Sequence, residues 1–414
     1  MFNLNAFRQN MLIYSIIIAI VFIVIVLLLL LVIGIFLKKE YSEDAQSYFG
    51  SDFLTNSQSY QRISIILFVT RQVMTFASMA VLFIMVPRIF ANNYKPTILI
   101  ALTSILVFFV SLIIITFIFS FYRDFVIEHR FGLSNHTAVS WLSDYLKSQG
   151  ISLLINMGAF TSLYALTKYI PKYWWLISWV VLVVFIIIGT YIAPVLIDPL
   201  FYKFKPLEDK VLKEKVIDIA DKADIEVSDV LIADASTKTK KANAYFTGVG
   251  TTKRIVLYDN LINDFSHDQT LSVVAHEMAH WKYAHILKAI AIASGISLVG
   301  FLFLGYIIKG LNIYDIRSVF LVIILFNLVS FAILPAENAI SRRFEVQADR
   351  KAQILTGDYQ TQIDLTVNLA RSNLSMVEPN KIVRTILHTH PSVMERINNA
   401  IKWKEDIDNP SKID

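Results

Sequence analysis

Ser266-His267-Asp268-Gln269-Thr270-Leu271-Ser272-Val273-Val274-Ala275-His276-Glu277-Met278-Ala279-His280-Trp281-Lys282, with the apolar run Ile286–Ile308 just beyond it, is the stretch from which the fold unfolds in both directions. Ser266 and Gln269 have the spacing of a capping box, so a helix starts here. Leu271, Val274, Met278 and Trp281 share one side of it. His276 and His280, at i and i+4, lie about 40° apart on an ideal helix, so two imidazoles can reach one ion. Neutral imidazole is a good zinc ligand, and a catalytic zinc keeps a position open for water. Glu277, the next residue, is placed to take that water's proton. A surface helix with two incidental histidines is the competing reading; the cap and the apolar opposite face weigh against it.

The apolar run after the motif is one of seven. The others are Leu12–Leu37, Ile63–Phe90, Thr97–Phe121, Ile151–Ile170, Trp174–Ile197 and Val319–Ile340. About 20 apolar residues cross a bilayer core. Composition agrees: 55% of the 414 residues are hydrophobic and only 17% charged, where a soluble domain is nearer a quarter charged. The expected architecture is therefore an all-α polytopic membrane protein of seven transmembrane helices. Arg71 and Gln72 fall inside the second run, which must face protein or a wet cavity. The net charge of +5 fits basic loops at anionic headgroups, and no nucleic-acid partner is expected. With no cysteine in the chain, a metal must be held by His, Asp and Glu.

Four parts follow: 1–200 with five spans, a soluble insert 201–285 with the motif helix, spans six and seven over 286–340, and a charged helical tail 341–414. In the insert, Leu207–Ala223 has helical spacing. Asp229–Ala235, Asn243–Thr247 and Arg254–Asp259 read as strands, with Gly248-Val249-Gly250 and Thr251-Thr252 forming a hairpin loop. His129 and His136 are assigned to a solvated loop between spans three and four. Lys238, Lys240 and Lys241 make a basic run beside Asn243.

A third ligand is sought in the tail. Glu345 and Asp349, again i and i+4, share a helix face. Glu345 could ligate zinc while Asp349 accepts a hydrogen bond from a ligand imidazole; or both could simply pair with Arg342, Arg343 and Arg350. Topology favours ligation. Two spans separate His280 from Glu345, and an even number of crossings returns the chain to the same side.

Several further segments carry a resemblance: Tyr122-Arg123-Asp124-Phe125-Val126-Ile127-Glu128, Phe131-Gly132, Ile197-Asp198-Pro199-Leu200-Phe201, Asn243-Ala244-Tyr245-Phe246, the extended motif to His285, Ser341-Arg342-Arg343-Phe344-Glu345 with Ala348-Asp349, and His390-Pro391 with Arg396. In this order they resemble the integral-membrane CAAX prenyl endopeptidases of the zinc-dependent first type. The resemblance implies seven helices enclosing a wet chamber and a gluzincin-like protease domain with a small β-sheet. It implies one zinc per chain on His276, His280 and Glu345, Glu277 as general base, Asn243 near the substrate backbone, and His390 and Arg396 steadying oxyanion or substrate. It also implies cleavage near the C-terminus of prenylated proteins.

Short loops between spans and a tail without a lysine-based retrieval signal fit a prokaryotic relative. The expected substrate is then a lipidated or membrane-associated peptide; a quality-control protease, or a transporter with a structural zinc, are the alternatives. The loop with Arg123, Arg130 and Lys147 and the Lys-rich insert outweigh Arg88, Lys95, Lys168 and Lys172 opposite, so insert and tail are expected in the cytoplasm and the N-terminus outside.

Overall fold

The computed structural model describes residues 4–404 apart from 38–39, 92–96 and 248–253. The expected hairpin turn at 248–252, Lys95 and the tail beyond Lys404 lie outside the described residues.

Among the described residues, seven helices are long and apolar enough to cross a membrane: Asn10–Phe36, Ser51–Ile89, Ile98–Arg130, Ala138–Tyr169, Trp174–Leu200, His285–Leu311 and Ile316–Thr356. Each of the seven expected spans falls within one of them to within a residue at either end. Several run on well past the apolar segment. The fourth starts at Ala138, thirteen residues before the apolar run, because Thr137 caps it by accepting from the Ser140 N–H. Trp141 then packs edge-on to Phe121 (5.3 Å between ring centroids) and Tyr145 meets Phe117 (5.3 Å). His129 consequently sits in a helical turn, Glu128–Arg130, rather than in an open loop. The seventh helix does not end at the bilayer either: one helix, Ile316–Thr356, carries the last span and both Glu345 and Asp349.

Phe108 of the third helix stacks on Phe320 of the seventh at 4.7 Å, inside an apolar core that also takes in the first, fourth and sixth. The chain's accessible surface is 21641 Å², against about 16,000 Å² for a compact soluble protein of its 47.2 kDa.

The insert folds over the bundle as a four-stranded sheet in the order β1-β2-β4-β3. β1 (Phe204–Pro206) pairs antiparallel with β2 (Asp229–Ala233), β2 parallel with β4 (Arg254–Tyr258), and β4 antiparallel with β3 (Ala244–Thr247). β3 is thus an edge strand. Sheet, motif helix (His267–Lys282) and helix Lys210–Lys222 share a second core around Leu212, Val216, Ile255, Leu257 and Val274, all fully buried.

Four segments meet on one side of the bundle. Arg371 donates to the Tyr48 carbonyl (2.7 Å), Ser42 donates through its main-chain N–H and hydroxyl to Glu378 (3.0 Å each), and the Lys240 N–H donates to the Leu133 carbonyl (3.0 Å). The first and third inter-span loops, the insert and the tail therefore lie together, as the parity of the spans requires.

Candidate active site

The Ser266–Gln269 capping box is formed, so the motif helix starts where the sequence puts it and His276 and His280 emerge on one face. That face packs on the far end of the seventh-span helix. His276 Nε2 and His280 Nε2 are 3.1 Å apart; Glu345 Oε2 is 3.2 Å from the first and its Oε1 is 3.5 Å from the second. Ligand atoms held tetrahedrally around zinc at its usual bond lengths lie about 3.3 Å from one another. The two imidazoles thus converge on the Glu345 carboxylate at about the spacing of zinc ligands, and the three are the cluster that could hold a metal among the described residues.

The nitrogen of His276 away from this cluster, Nδ1, is 2.9 Å from Asp349 Oδ1. A carboxylate there keeps the proton on Nδ1 and leaves the Nε2 lone pair for a cation. Asp349 is in turn gripped by Arg396, whose Nε and Nη2 donate to Oδ2 (2.8 Å) and Oδ1 (2.7 Å). Burial opposes a charge on His276, yet its contacts with Asp349 and Glu345 outweigh that and lift its pKa to about 10. The site attracts positive charge strongly. Enclosure in the cleft pushes the Glu277 carboxyl up, with His276 and His280 pulling the other way.

A cavity of about 420 Å³ opens in front of the cluster, lined by Asn243, Ala244, His276, Glu277, His390 and Arg396 among others. His390 reaches Glu345 Oε2 at 3.2 Å with 56% of its side chain exposed. It is held there by Arg342, which donates to the carbonyls of Arg384 (3.2 Å) and His388 (2.6 Å). A second capping box, Ser392 with Glu395, starts the helix that carries Arg396.

Asn243 is exposed at the mouth, just ahead of edge strand β3, and its carbonyl accepts from the Tyr258 N–H at 3.0 Å. Two of the segments quoted from the sequence hold this strand at both ends. Glu128, buried, accepts from Tyr60 (2.6 Å) and Arg123 (3.0 Å) and pairs with Lys241 (2.8 Å), two residues before Asn243. Asp198 accepts from the Tyr245 hydroxyl at 2.6 Å, two residues after it. The basic run is thereby largely spoken for: Lys238 bonds Asp144 and the Phe201 carbonyl, Lys241 bonds Glu128, and Lys240 alone is exposed.

Every site residue expected from sequence is in or directly behind this cleft. The resemblance implies that Arg396 steadies substrate or oxyanion; the structure pairs it with Asp349. It overlooked Gln347, which meets His285 at 3.0 Å, because Gln347 is off the face shared by Glu345 and Asp349.

Comparison with known proteins agrees with this geometry. Residues 206–404 match the family model of peptidase family M48, and residues 38–203 that of the CAAX prenyl protease N-terminal region with five membrane helices. The chain is 35% identical over 283 residues to the uncharacterized metalloprotease YhfN of Bacillus subtilis, covering 66% of each chain. It is 31% identical over 306 residues to CAAX prenyl protease 1 of Saccharomyces cerevisiae, covering 67% of each. The alignments therefore span about two thirds of these relatives' length. The crystal structure of S. mikatae Ste24p superposes with a TM-score of 0.79 over 95% of this chain and 98% of that one, at 24% identity, so the fold is shared. With both halves of the chain matched and the two-thirds alignments in place, the chain belongs to the CAAX prenyl protease type 1 family of M48 zinc metalloendopeptidases.

Proposed function

We propose that this protein is a zinc-dependent membrane endopeptidase that hydrolyses peptide bonds near the C-terminus of lipidated or membrane-associated peptides. The observation that carries the reading is the convergence of His276, His280 and Glu345 with Glu277 beside them in a cleft bordered by a strand edge. His276, His280 and Glu345 would hold the ion, with Asp349 setting the His276 tautomer. When bound, zinc supplies Lewis acidity, acidifying water and polarising a carbonyl. The protein's own groups do the rest. Glu277 takes the proton from the attacking water and returns it to the leaving amine. An extended peptide pairs its main chain with β3, and the Asn243 amide sets its register. His390, at the far side of Glu345, donates to the carbonyl oxygen as charge develops there. A structural zinc normally has four protein ligands and no use for Glu277, which argues against a transporter.

The substrate class is supported by the likeness to the yeast relative, a CAAX prenyl protease. Main-chain pairing at an edge strand is tolerant of sequence, which equally suits degradation of damaged membrane proteins. The experiment offers purified protein, with Glu277→Gln as control, a prenylated CAAX peptide and an unfolded membrane protein side by side. Cleavage of the peptide near its C-terminus supports the proposal, cleavage of the unfolded protein alone transfers the reading to quality control, and Glu277→Gln turnover at the wild-type rate removes the mechanism.

A further inference from the structure

The motif helix stops at Lys282 and the sixth-span helix starts at His285. Between them Ala284 adopts φ 52°, ψ 37°, the left-handed region that a non-glycine residue seldom occupies because its Cβ crowds the backbone. No glycine relieves the turn. Its effect is to swing His285 back under His280 instead of carrying it on around the motif helix. His285 is 3% exposed, and its ring lies on Phe344 at 4.3 Å with 10° between planes. Both its nitrogens are engaged: Nδ1 faces His280 Nδ1 at 3.0 Å, and Nε2 faces Gln347 Oε1 at 3.0 Å.

These contacts admit one proton arrangement if His280 is to bind a metal. His280 offers Nε2 to the metal cluster, so its proton is on Nδ1. Two N–H groups cannot face each other at 3.0 Å, so His285 Nδ1 must be the acceptor. A neutral imidazole carries its one proton on the other nitrogen, so His285 Nε2–H donates outward, and its partner must present an oxygen. Gln347 does. We propose that His285 and Gln347 are positioning residues for the metal centre, a two-step relay that locks His280 in the tautomer whose Nε2 is free.

The relay does for His280 what Asp349 and Arg396 do for His276, with neutral groups in place of charged ones. It also explains the strained Ala284, without which His285 would continue around the helix away from His280. Gln347, two residues beyond Glu345, points to the side of the seventh-span helix opposite the ligand face, where the sixth-span helix enters. One helix therefore serves both imidazoles, through Asp349 on one side and Gln347 on the other.

The inference rests on the reading of His280 as a ligand, and zinc affinity distinguishes the two. Zinc dissociation constants would be measured by chelator competition on the purified full chain, for wild type, Gln347→Leu, Gln347→Glu and His285→Phe. Loss of such a partner typically costs about 10- to 100-fold in metal affinity. Gln347→Leu, which removes the acceptor at similar size, and His285→Phe, which keeps the stack on Phe344, should both weaken zinc by that factor. Gln347→Glu keeps an oxygen acceptor and should stay within about threefold of wild type. Equal unfolding temperatures of the metal-free proteins exclude a folding defect for at least one of the two Gln347 variants. Wild-type affinity in Gln347→Leu, or equal loss in Gln347→Leu and Gln347→Glu, overturns the relay while leaving the zinc site standing. A wild-type chain that binds no zinc overturns the ligand reading itself, and the relay with it.

Discussion

Arg396 and Asp349 are joined by two parallel hydrogen bonds, 2.8 and 2.7 Å, directly behind His276. The fork is spent on the carboxylate, which is itself spent on the imidazole. Arg396→Ala should therefore lower zinc affinity by roughly tenfold or more, and should also destabilise the fold by about 3 kcal/mol, since Asp349 is left buried with less compensation. Chelator competition and thermal unfolding measure the two. A variant with wild-type zinc affinity and depressed kcat would return Arg396 to the oxyanion.

Glu277 behaves differently because it lines the cavity instead of joining the cluster of His276, His280 and Glu345. Glu277→Gln is expected to keep one zinc per chain and to lose about 10²–10⁴ in kcat, the usual worth of a general base. Elemental analysis alongside single-turnover cleavage decides it. Loss of zinc in this variant would make Glu277 part of the metal shell.

The strand edge and His390 separate in the kinetics. Asn243→Ala should impair peptide cleavage without changing zinc content or unfolding temperature. His390→Ala should lower kcat by about 10²–10³ with a smaller change in KM. Wild-type rates in both variants would end the strand-pairing account.

In the metal-free protein, the proton shared between His276 and the acids has a consequence for stability. His276 is raised from an ordinary value near 6.5 to about 10. A raised folded-state pKa stabilises fully below 6.5 and is lost as pH climbs through 10. The unfolding temperature of chelator-treated protein should fall across that window, and the fall should be smaller in His276→Ala. Identical pH profiles for the two proteins would mean that His276 carries no such proton.

Orientation can be read chemically because the chain has no cysteine of its own. A single Lys240→Cys substitution, at the exposed position of the basic run, should resist membrane-impermeant thiol reagents in intact cells and react once the membrane is opened. Labelling from outside would invert the topology.

Much of this site is legible in the sequence because its parts repeat at helical spacing. His276 with His280 and Glu345 with Asp349 are i, i+4 pairs, and the parity of two spans brings them together. The edge strand was legible from the β-like residues 243–247. What escaped depends on contacts between elements remote in the chain. Arg396 could not be matched to Asp349 from spacing, since it lies 47 positions further along the chain on a separate helix. Gln347 was passed over because it breaks the periodicity that exposes its neighbours. β1 is three residues long and ends in Pro206, too short to carry an alternation. The fourth helix outran its apolar segment because a threonine cap, and not the lipid boundary, sets its start.

The seventh helix ties one zinc ligand to the membrane as a spoke ties rim to hub. Ile316–Thr356 is 41 residues long, about 60 Å at 1.5 Å per residue. Glu345 stands about 24 Å from the middle of the span, so a one-degree tilt of the rod swings it by about 0.4 Å, twice the tolerance of about 0.2 Å on a metal bond. His276 and His280 ride on a different helix, joined through Ala284 to the sixth span. Pro335, which withholds one backbone donor inside the span and ahead of the site, is where the rod can yield. The last span and the candidate ligand Glu345 are one continuous rod, so a tilt of that span is expected to be felt at the metal centre.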